Sequence, residues 1–259
     1  MDLGLAGKIA VVGGASQGIG YAIARLLAGE GAQVAIVARR REPLDAAARR
    51  IADETGGRVH AIAADIRKPA DCARIVDDAV AAFGGLDILV NNDGAPPLGA
   101  LLAFDDAAWD KAVQQNLMSV VRLARGAVPH MRARGGGRIV NITALSVLQP
   151  RERFGLSVAT WAGVLGYAKT LSLEVAADQI TVNTLCPGRI ATGRLATVFG
   201  TDGALDDQTL AAMTQEIPMR RLGTVEEIAG LVGFLASPFA AYITGTVIQV
   251  DGGRLASLL

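Results

Sequence analysis

The chain has 259 residues, with 25 basic and 25 acidic side chains and no formal net charge. That balance argues against a nucleic-acid or anionic-membrane partner. No apolar run reaches the ~18 residues of a membrane span. The start of the chain lacks a basic region followed by a long apolar stretch, so no secretory signal is read. A soluble, cytoplasmic protein is expected. The length suits one large α/β domain that buries its core without staples, and 51% hydrophobic residues with few aromatics fit helices packed tightly on a sheet. Cys72 and Cys186 are isolated and make no metal pattern, so buried thiols in a reducing compartment are expected. His60 and His130 stand in unlike contexts and suggest no site.

Ile9–Val12 reads as the first strand and Gly18–Gly29 as the first helix. Between them lies Gly13-Gly14-Ala15-Ser16-Gln17-Gly18-Ile19-Gly20. Strand, glycine turn, helix is the context that gives a glycine motif meaning. Glycines let the backbone approach a ligand, and the helix start offers unpaired N–H groups to a phosphate. The alternative is a strand-to-helix turn with no ligand. The spacing, Gly-x-x-x-Gly-x-Gly, differs from the common Gly-x-Gly-x-x-Gly fingerprint.

Gln33–Ala38 reads as the second strand. Dinucleotide folds place an acidic residue ~20 positions past the glycine turn to hold the ribose, or basic residues to hold a 2′-phosphate. Here Ala38 is followed by Arg39, Arg40 and Arg41. Guanidinium groups grip phosphate with paired donors, so NADP is favoured over NAD. The competing reading is a solvated basic start to the next helix.

Glu42–Thr55 reads as a helix, Arg58–Ala64 as a strand ending at Asp65-Ile66, and Lys68–Phe83 as a helix. Leu86–Val90 is a strand closed by Asn91-Asn92-Asp93-Gly94. Asp105–Arg134 reads as one long helix carrying Asn116, Gly137–Thr143 as a strand, Gly155–Asp178 as a long helix, and Gln179–Leu185 as a strand. A polar stretch, about 193–216, reads as a mobile loop with one short helix. Thr224–Ala236 is a helix and Thr246–Val250 a last strand. Strands alternating with helices predict a Rossmann-like, doubly wound parallel sheet, α/β in class. No linker interrupts the pattern, so residues 1–259 read as one domain.

Several of these stretches together resemble the short-chain dehydrogenase/reductase family, nearly end to end. Gly14-Ala15-Ser16-Gln17-Gly18-Ile19-Gly20 is similar to its cofactor turn, and Asp65-Ile66 to the acidic pair near the adenine. Asn91-Asn92-Asp93-Gly94 resembles its Asn-Asn-Ala-Gly strand end, with Asp93 in place of alanine. Asn116 stands where the family keeps a helix asparagine. Pro187-Gly188, Ile190 and Thr192 resemble the loop that meets the nicotinamide. Arg221–Ile228, Tyr242–Gly245 and Val250–Gly253 resemble its C-terminal signature. The resemblance, 3-oxoacyl-(acyl-carrier-protein) reductase-like, implies strand order 3-2-1-4-5-6-7, dimers or tetramers formed through the two long helices, and hydride transfer between NADP(H) and a carbonyl or alcohol.

The family's serine, tyrosine and lysine do not carry over. Register from Gly137–Thr143 and from Ala162-Gly163-Val164-Leu165-Gly166 puts the serine position on Ala144, the tyrosine on Ser157 and the lysine on Trp161. Of the usual four residues only Asn116 remains. Ser146 and Ser157 are the hydroxyls nearest the vacated places, though neither has a visible base beside it. Tyr167 and Lys169 lack the required spacing of four. Three readings follow. One is an oxidoreductase with a weak or unusual proton route. Another is an inactive relative that binds dinucleotide or a partner subunit. The third is a dehydratase or isomerase using Asp93 as base, for which a turn-stabilising Asp is the competing role.

Overall fold

The computed structural model describes residues 2–199 and 204–258. Seven strands form one parallel sheet in the order β3-β2-β1-β4-β5-β6-β7, as the resemblance implied. They are β1 (Ile9–Gly13), β2 (Gln33–Ala38), β3 (Val59–Ala63), β4 (Ile88–Asn91), β5 (Gly137–Ile142), β6 (Ile180–Pro187) and β7 (Val247–Val250). The order reverses between β1 and β4, where both pair in parallel. The crevice at such a reversal, beyond the strand C-termini, is where ligands bind in this architecture.

Side chains alternate across the sheet, as a period of two requires. Ala10 and Val12 of β1 join one core with Val34, Ile36, Val90 and Val140. Ile9 and Val11 join the other, with Ala35, Val37, Leu89 and Ile139. Helices α1 (Gly18–Gly29), α2 (Arg41–Thr55) and α9 (Val225–Ala236) cover the first face. Helices α3 (Pro69–Phe83), α5 (Ser119–Ala133) and α6 (Gly155–Val175) cover the second. Burial on both faces explains why the strands read as near-continuous apolar runs. Cys72 and Cys186 are buried and free. Among the described residues no helix is long and apolar enough to cross a membrane.

Two expectations need correction. The long helix expected over Asp105–Arg134 is divided: α4 (Asp106–Ala112) runs into a π-helical turn, Val113–Met118, before α5. Asn116 sits inside that wider turn. The stretch 193–216 carries two short helices instead of one, α7 (Gly193–Phe199) and α8 (Asp207–Gln215). Residues 200–203 of it lie outside the described residues, as do Met1 and Leu259. Asp206 caps α8, accepting the Thr209 N–H at 2.6 Å. Buried Leu195 and Met213 anchor the pair. Glu216 then latches α8 to the body by accepting from Arg189, Arg254 and Arg151 at 2.9, 2.6 and 3.4 Å.

The start of β1 depends on a buried carboxylate. Asp87 Oδ2 accepts the Ile9 N–H at 2.8 Å, and its Oδ1 accepts Arg134 Nε at 2.8 Å. Asp87→Ala leaves a buried donor unpaired and should lower unfolding free energy by about 2–3 kcal/mol in chemical denaturation; an unchanged midpoint would contradict this role.

At Gly20 a Cβ would lie 2.7 Å from Gly13 O and would also strike Gly14 O. Gly20→Ala must therefore push α1 off the turn, at a cost of about 1–3 kcal/mol. A denaturation midpoint equal to the parent's would show that the contact gives way freely.

Candidate cofactor cleft and inner chamber

The glycine turn is shaped by two close approaches. Gly14 and Gly18 adopt φ of +59° and +60°, a region that favours glycine. A Cβ on Gly13 would fall 2.6 Å from Asn92 O, and one on Gly14 would fall 2.7 Å from Asn92 Nδ2. Asn92 Nδ2 donates to Gly13 O at 3.0 Å, tying the end of β4 to the turn. Ala15 N–H donates to Val37 O at 3.1 Å, tying the turn to β2. Gln17, the N-cap of α1, supplies no side-chain cap. The first N–H groups of α1 thus remain available to an anion.

Beside this turn lies a cleft of about 830 Å³, within the range of small-molecule sites. Of the residues expected to bind a cofactor, Gly14, Ser16, Gln17, Gly18 and Ile19 line it along one wall. Arg39, Arg40, Asp65, Ile66, Gly94 and Thr192 line the rest. Arg41 is committed to Asp45 at 2.7 Å. Arg39 and Arg40 are exposed, and among the described residues they form no ion pair. Asp65 holds Arg67 through bonds of 2.6–3.1 Å, and that bonding keeps its carboxyl below the usual range.

Other expected residues stand behind the wall. Gly20 packs on the turn's carbonyls. Asn91 is buried and donates to Asn141 Oδ1 at 2.8 Å. Pro187 closes β6, Gly188 N–H continues its ladder to Val250 O at 2.9 Å, and Ile190 is buried and bridges to Gly223. These three carry the segment whose Thr192, Gly193 and Arg194 reach the cleft. Arg194 went unnoticed in the sequence. The available signal was a basic side chain at the first turn of a helix that directly follows Thr192. Burial lowers the Arg194 pKa, and the Asp93 charge opposes that shift.

Beside the cleft, and sharing Ile66, Asn92 and Asp93 with it, is a second, smaller chamber of about 20 Å³, lined also by Asn91, Asn116, Asn141 and Trp161 among others. Asn116 is 2% exposed and donates to Thr160 Oγ1 at 2.8 Å, and that hydroxyl donates to Leu156 O at 2.7 Å. Trp161 packs with Val120 and Val164, and Ala144 and Ala95 join the same apolar cluster. Ser157 and Ser146 are 1% and 7% exposed, and both hydroxyl oxygens lack a partner. Neither lines the cleft or the chamber. Ser146 lies buried in a 3-10 turn, Leu145–Val147, so the structure does not place it at the opening expected for a substrate-facing hydroxyl. Tyr167 packs against the same Trp161 cluster, and burial raises its pKa, but neither it nor Lys169 lines the cleft or the chamber; Lys169 Nζ donates to Gly245 O at 3.2 Å.

Asp93 needs correction. A turn-stabilising carboxylate should accept N–H groups of its own turn, yet among the described residues Asp93 accepts none and its Oδ2 is sealed without a partner. The residue as a whole is half-buried, but burial of the carboxyl raises its pKa well above the ordinary value, against the pull of Arg194 and Arg39. Among the described residues no cluster of His, Cys, Asp and Glu could hold a metal ion.

Comparison with known proteins places this geometry. The family model described as enoyl-(acyl carrier protein) reductase matches residues 14–254. Dehydrogenase/reductase SDR family member 4 of Homo sapiens is 35% identical over 250 residues, 96% of this chain and 88% of that protein. The 3-oxoacyl-[acyl-carrier-protein] reductase FabG of Vibrio cholerae is 37% identical over 251 residues, 97% of this chain and 98% of that one. The crystal structure of L-sorbose reductase from Gluconobacter frateurii, complexed with NADPH and L-sorbose, superposes with a TM-score of 0.95 at 38% identity over 100% of both chains. With the sheet order, the glycine turn and these matches in agreement, the chain belongs to the short-chain dehydrogenase/reductase family.

Proposed function

We propose that this protein is an NADP(H)-dependent oxidoreductase that interconverts a carbonyl and an alcohol on a small molecule, with a proton route that uses no phenol at position 157. The observation that carries this reading is the cleft itself. A glycine turn at which a Cβ on Gly13, Gly14 or Gly20 would clash, and an uncapped helix start, share the cleft with two arginines that form no ion pair among the described residues. Gly14 to Ile19 would take the pyrophosphate, Arg39 and Arg40 the 2′-phosphate, and Asp65 and Ile66 the adenine side. Bound there, NADPH supplies a hydride. L-sorbose reductase, complexed with NADPH, supports the same choice of cofactor. Gly94 and Thr192 line the floor, and Gly20, Asn91, Pro187, Gly188 and Ile190 hold the surrounding backbone in place. The chain would act as one dinucleotide-binding unit, assembled as a homodimer or homotetramer.

At the reacting end, Asn116 is the one residue of the usual four that the resemblance keeps, with Ser157 a buried hydroxyl at the tyrosine position and Ser146 a buried hydroxyl two residues past the serine position. A positioned general acid is worth about 10²–10⁴ in rate, and holding the reactants together contributes as much or more. Slow turnover without the phenol is therefore compatible with the fold. A second reading has its own observation. Ala144 and Trp161 lie in one apolar cluster where the family resemblance expects a hydroxyl and an ammonium. On that reading the chain binds dinucleotide, or a partner subunit, without turnover.

A panel of ketones, ketoses, quinones and 3-oxoacyl thioesters, assayed by NADPH absorbance, tests the first reading. Substrate-dependent NADPH loss is expected, and its absence across the panel leaves the binding reading. The combined Ala144→Ser, Ser157→Tyr, Trp161→Lys variant should raise kcat by about 10²–10⁴. No gain in a folded variant would contradict the idea that these positions limit turnover.

Arg39→Ala and Arg40→Ala should each weaken NADPH binding about 10- to 150-fold, the loss of one charged hydrogen bond of about 1.5–3 kcal/mol, and leave NADH binding unchanged. Equal losses for both coenzymes would contradict recognition of the 2′-phosphate.

A further inference from the structure

The segment that follows β6 returns to the glycine turn. Gly223 N–H donates to Arg189 O at 2.9 Å and Ala191 N–H donates to Gly223 O at 2.8 Å, so the backbone on either side of Ile190 is pinned. Thr192 comes next, and a Cβ on Gly18 would meet its Cγ2 at 3.7 Å, an ordinary packing distance. Thr192 therefore rests on the first residue of α1. Leu195 N–H donates to Thr192 O at 2.9 Å and the Leu195 side chain is buried, which fixes the opening of α7. Arg194 lies between these two anchors. Its Cα is two chain steps, at most ~7.6 Å, from that of Thr192, a length that an arginine side chain spans.

Arg194 lines the cleft together with Ser16, Gln17, Gly18 and Thr192. It is exposed to the cleft, though the surrounding protein removes enough water to lower its pKa. Among the described residues it makes no hydrogen bond and no ion pair. Asp93 is the carboxylate whose charge it feels, yet the two do not pair, and one Asp93 oxygen is buried. A guanidinium carries five donors in a planar fork and accepts nothing. One that is partly desolvated and meets no acceptor suits an oxyanion arriving from solution.

The arginines of the cleft come to the turn from opposite sides. Arg39 and Arg40 follow β2, which flanks β1 on one side. Arg194 follows β6, which lies on the other side, beyond β4 and β5. The turn itself follows β1, between them. Arg67 is held by Asp65 at 2.6 Å. Lys111, on α4, also lines the cleft, but Arg194 belongs to the segment that rests on α1. A dinucleotide that puts its 2′-phosphate beside Arg39 and Arg40 still has its linked phosphates to place, and the start of α1 is where they would sit. The N–H groups there are directional but carry no full charge.

We infer that Arg194 grips the pyrophosphate of the dinucleotide from the β6 side of the glycine turn, a role separate from recognition of the 2′-phosphate by Arg39 and Arg40. The inference rests on the proposed cofactor site.

Calorimetry with nucleotide fragments separates the two roles. Adenosine 5′-diphosphate carries linked phosphates without the 2′-phosphate, and adenosine 2′-monophosphate carries only the latter. Arg194→Ala should weaken adenosine 5′-diphosphate, NADH and NADPH alike, by about 10- to 150-fold, the worth of one charged hydrogen bond, and leave adenosine 2′-monophosphate unchanged. Arg39→Ala should show the opposite pattern with the two fragments. Arg194→Lys keeps the charge without the paired donors and should recover only part of the affinity. Both Arg194 variants should keep the parent's denaturation midpoint, since the side chain is exposed and bonds nothing.

Unchanged affinity for adenosine 5′-diphosphate in the folded Arg194→Ala variant would overturn the inference. So would equal losses for the two fragments, or full recovery by Arg194→Lys, because Arg194 would then supply only a diffuse positive potential. A loss confined to the KM of a carbonyl substrate, with coenzyme binding intact, would overturn it too and assign the cation to an anionic group of that substrate. If the wild-type protein binds none of these nucleotides, the cofactor site itself fails, an outcome distinct from nucleotide binding that Arg194→Ala leaves untouched.

Discussion

The contact between the start of α1 and the carbonyls of Gly13 and Gly14 sets the rest of the site. Gly20 has no Cβ, so the helix can sit against that backbone. The helix thereby starts at the C-terminal end of β1, where the strand order reverses between β1 and β4. Asn92 completes the arrangement by reaching from the end of β4 to Gly13 O. Its own backbone stands so close that glycine is needed at both 13 and 14. A turn packed this way leaves N–H groups and no side-chain bulk facing the cleft, which suits a phosphate. The arginines past β2 and the Asp65–Arg67 pair past β3 then fall on the same rim.

The reacting end obeys a different constraint. Burial and packing dominate where the family resemblance expects polar chemistry. Trp161, where the resemblance expects an ammonium, packs with Ala144 and Ala95 in an apolar cluster. Ser157 is too buried to meet a substrate without rearrangement. Polarity has not vanished from the region. It is concentrated in the adjoining chamber shared by Asn91, Asp93 and Asn116. Asp93 stands where the resemblance expects a small apolar side chain, and it faces both the chamber and the cleft. On the proposed reading, the chain separates a cofactor half that resembles the family from a reacting half that does not.

The sheet was legible because its strands are buried on both faces and appear as apolar runs between glycine and helical punctuation. Ile9–Val12, Gln33–Ala38 and Gly137–Thr143 are examples, each within one residue of the observed strand. The glycine turn and its arginines were legible for a different reason: local geometry and charge decide them. The π-helical turn around Asn116 was not. It is a difference of one backbone hydrogen-bond step inside a continuous helical pattern, and side-chain periodicity barely registers it. The places of Pro187, Gly188 and Ile190 behind the wall, and of Arg194 on it, depend on where the α7 segment folds back. No periodic pattern encodes that. Asp93 was misjudged for a related reason. Turn preference describes a carboxylate that bonds its own backbone, whereas among the described residues this one accepts no N–H and its Oδ2 is buried.

The most direct test of the whole account is the emission of Trp161 during nucleotide titration, with Trp109→Phe removing the other indole. Trp161 lines the chamber beside the cleft, so a dinucleotide seated at full length reaches its neighbourhood, and a fragment ending at the phosphates does not. The account predicts that NADPH quenches this emission and binds more tightly than adenosine 2′,5′-bisphosphate. Equal affinity for the two with no NADPH-specific quenching would contradict it, because the reacting half of the coenzyme would then gain nothing from the protein.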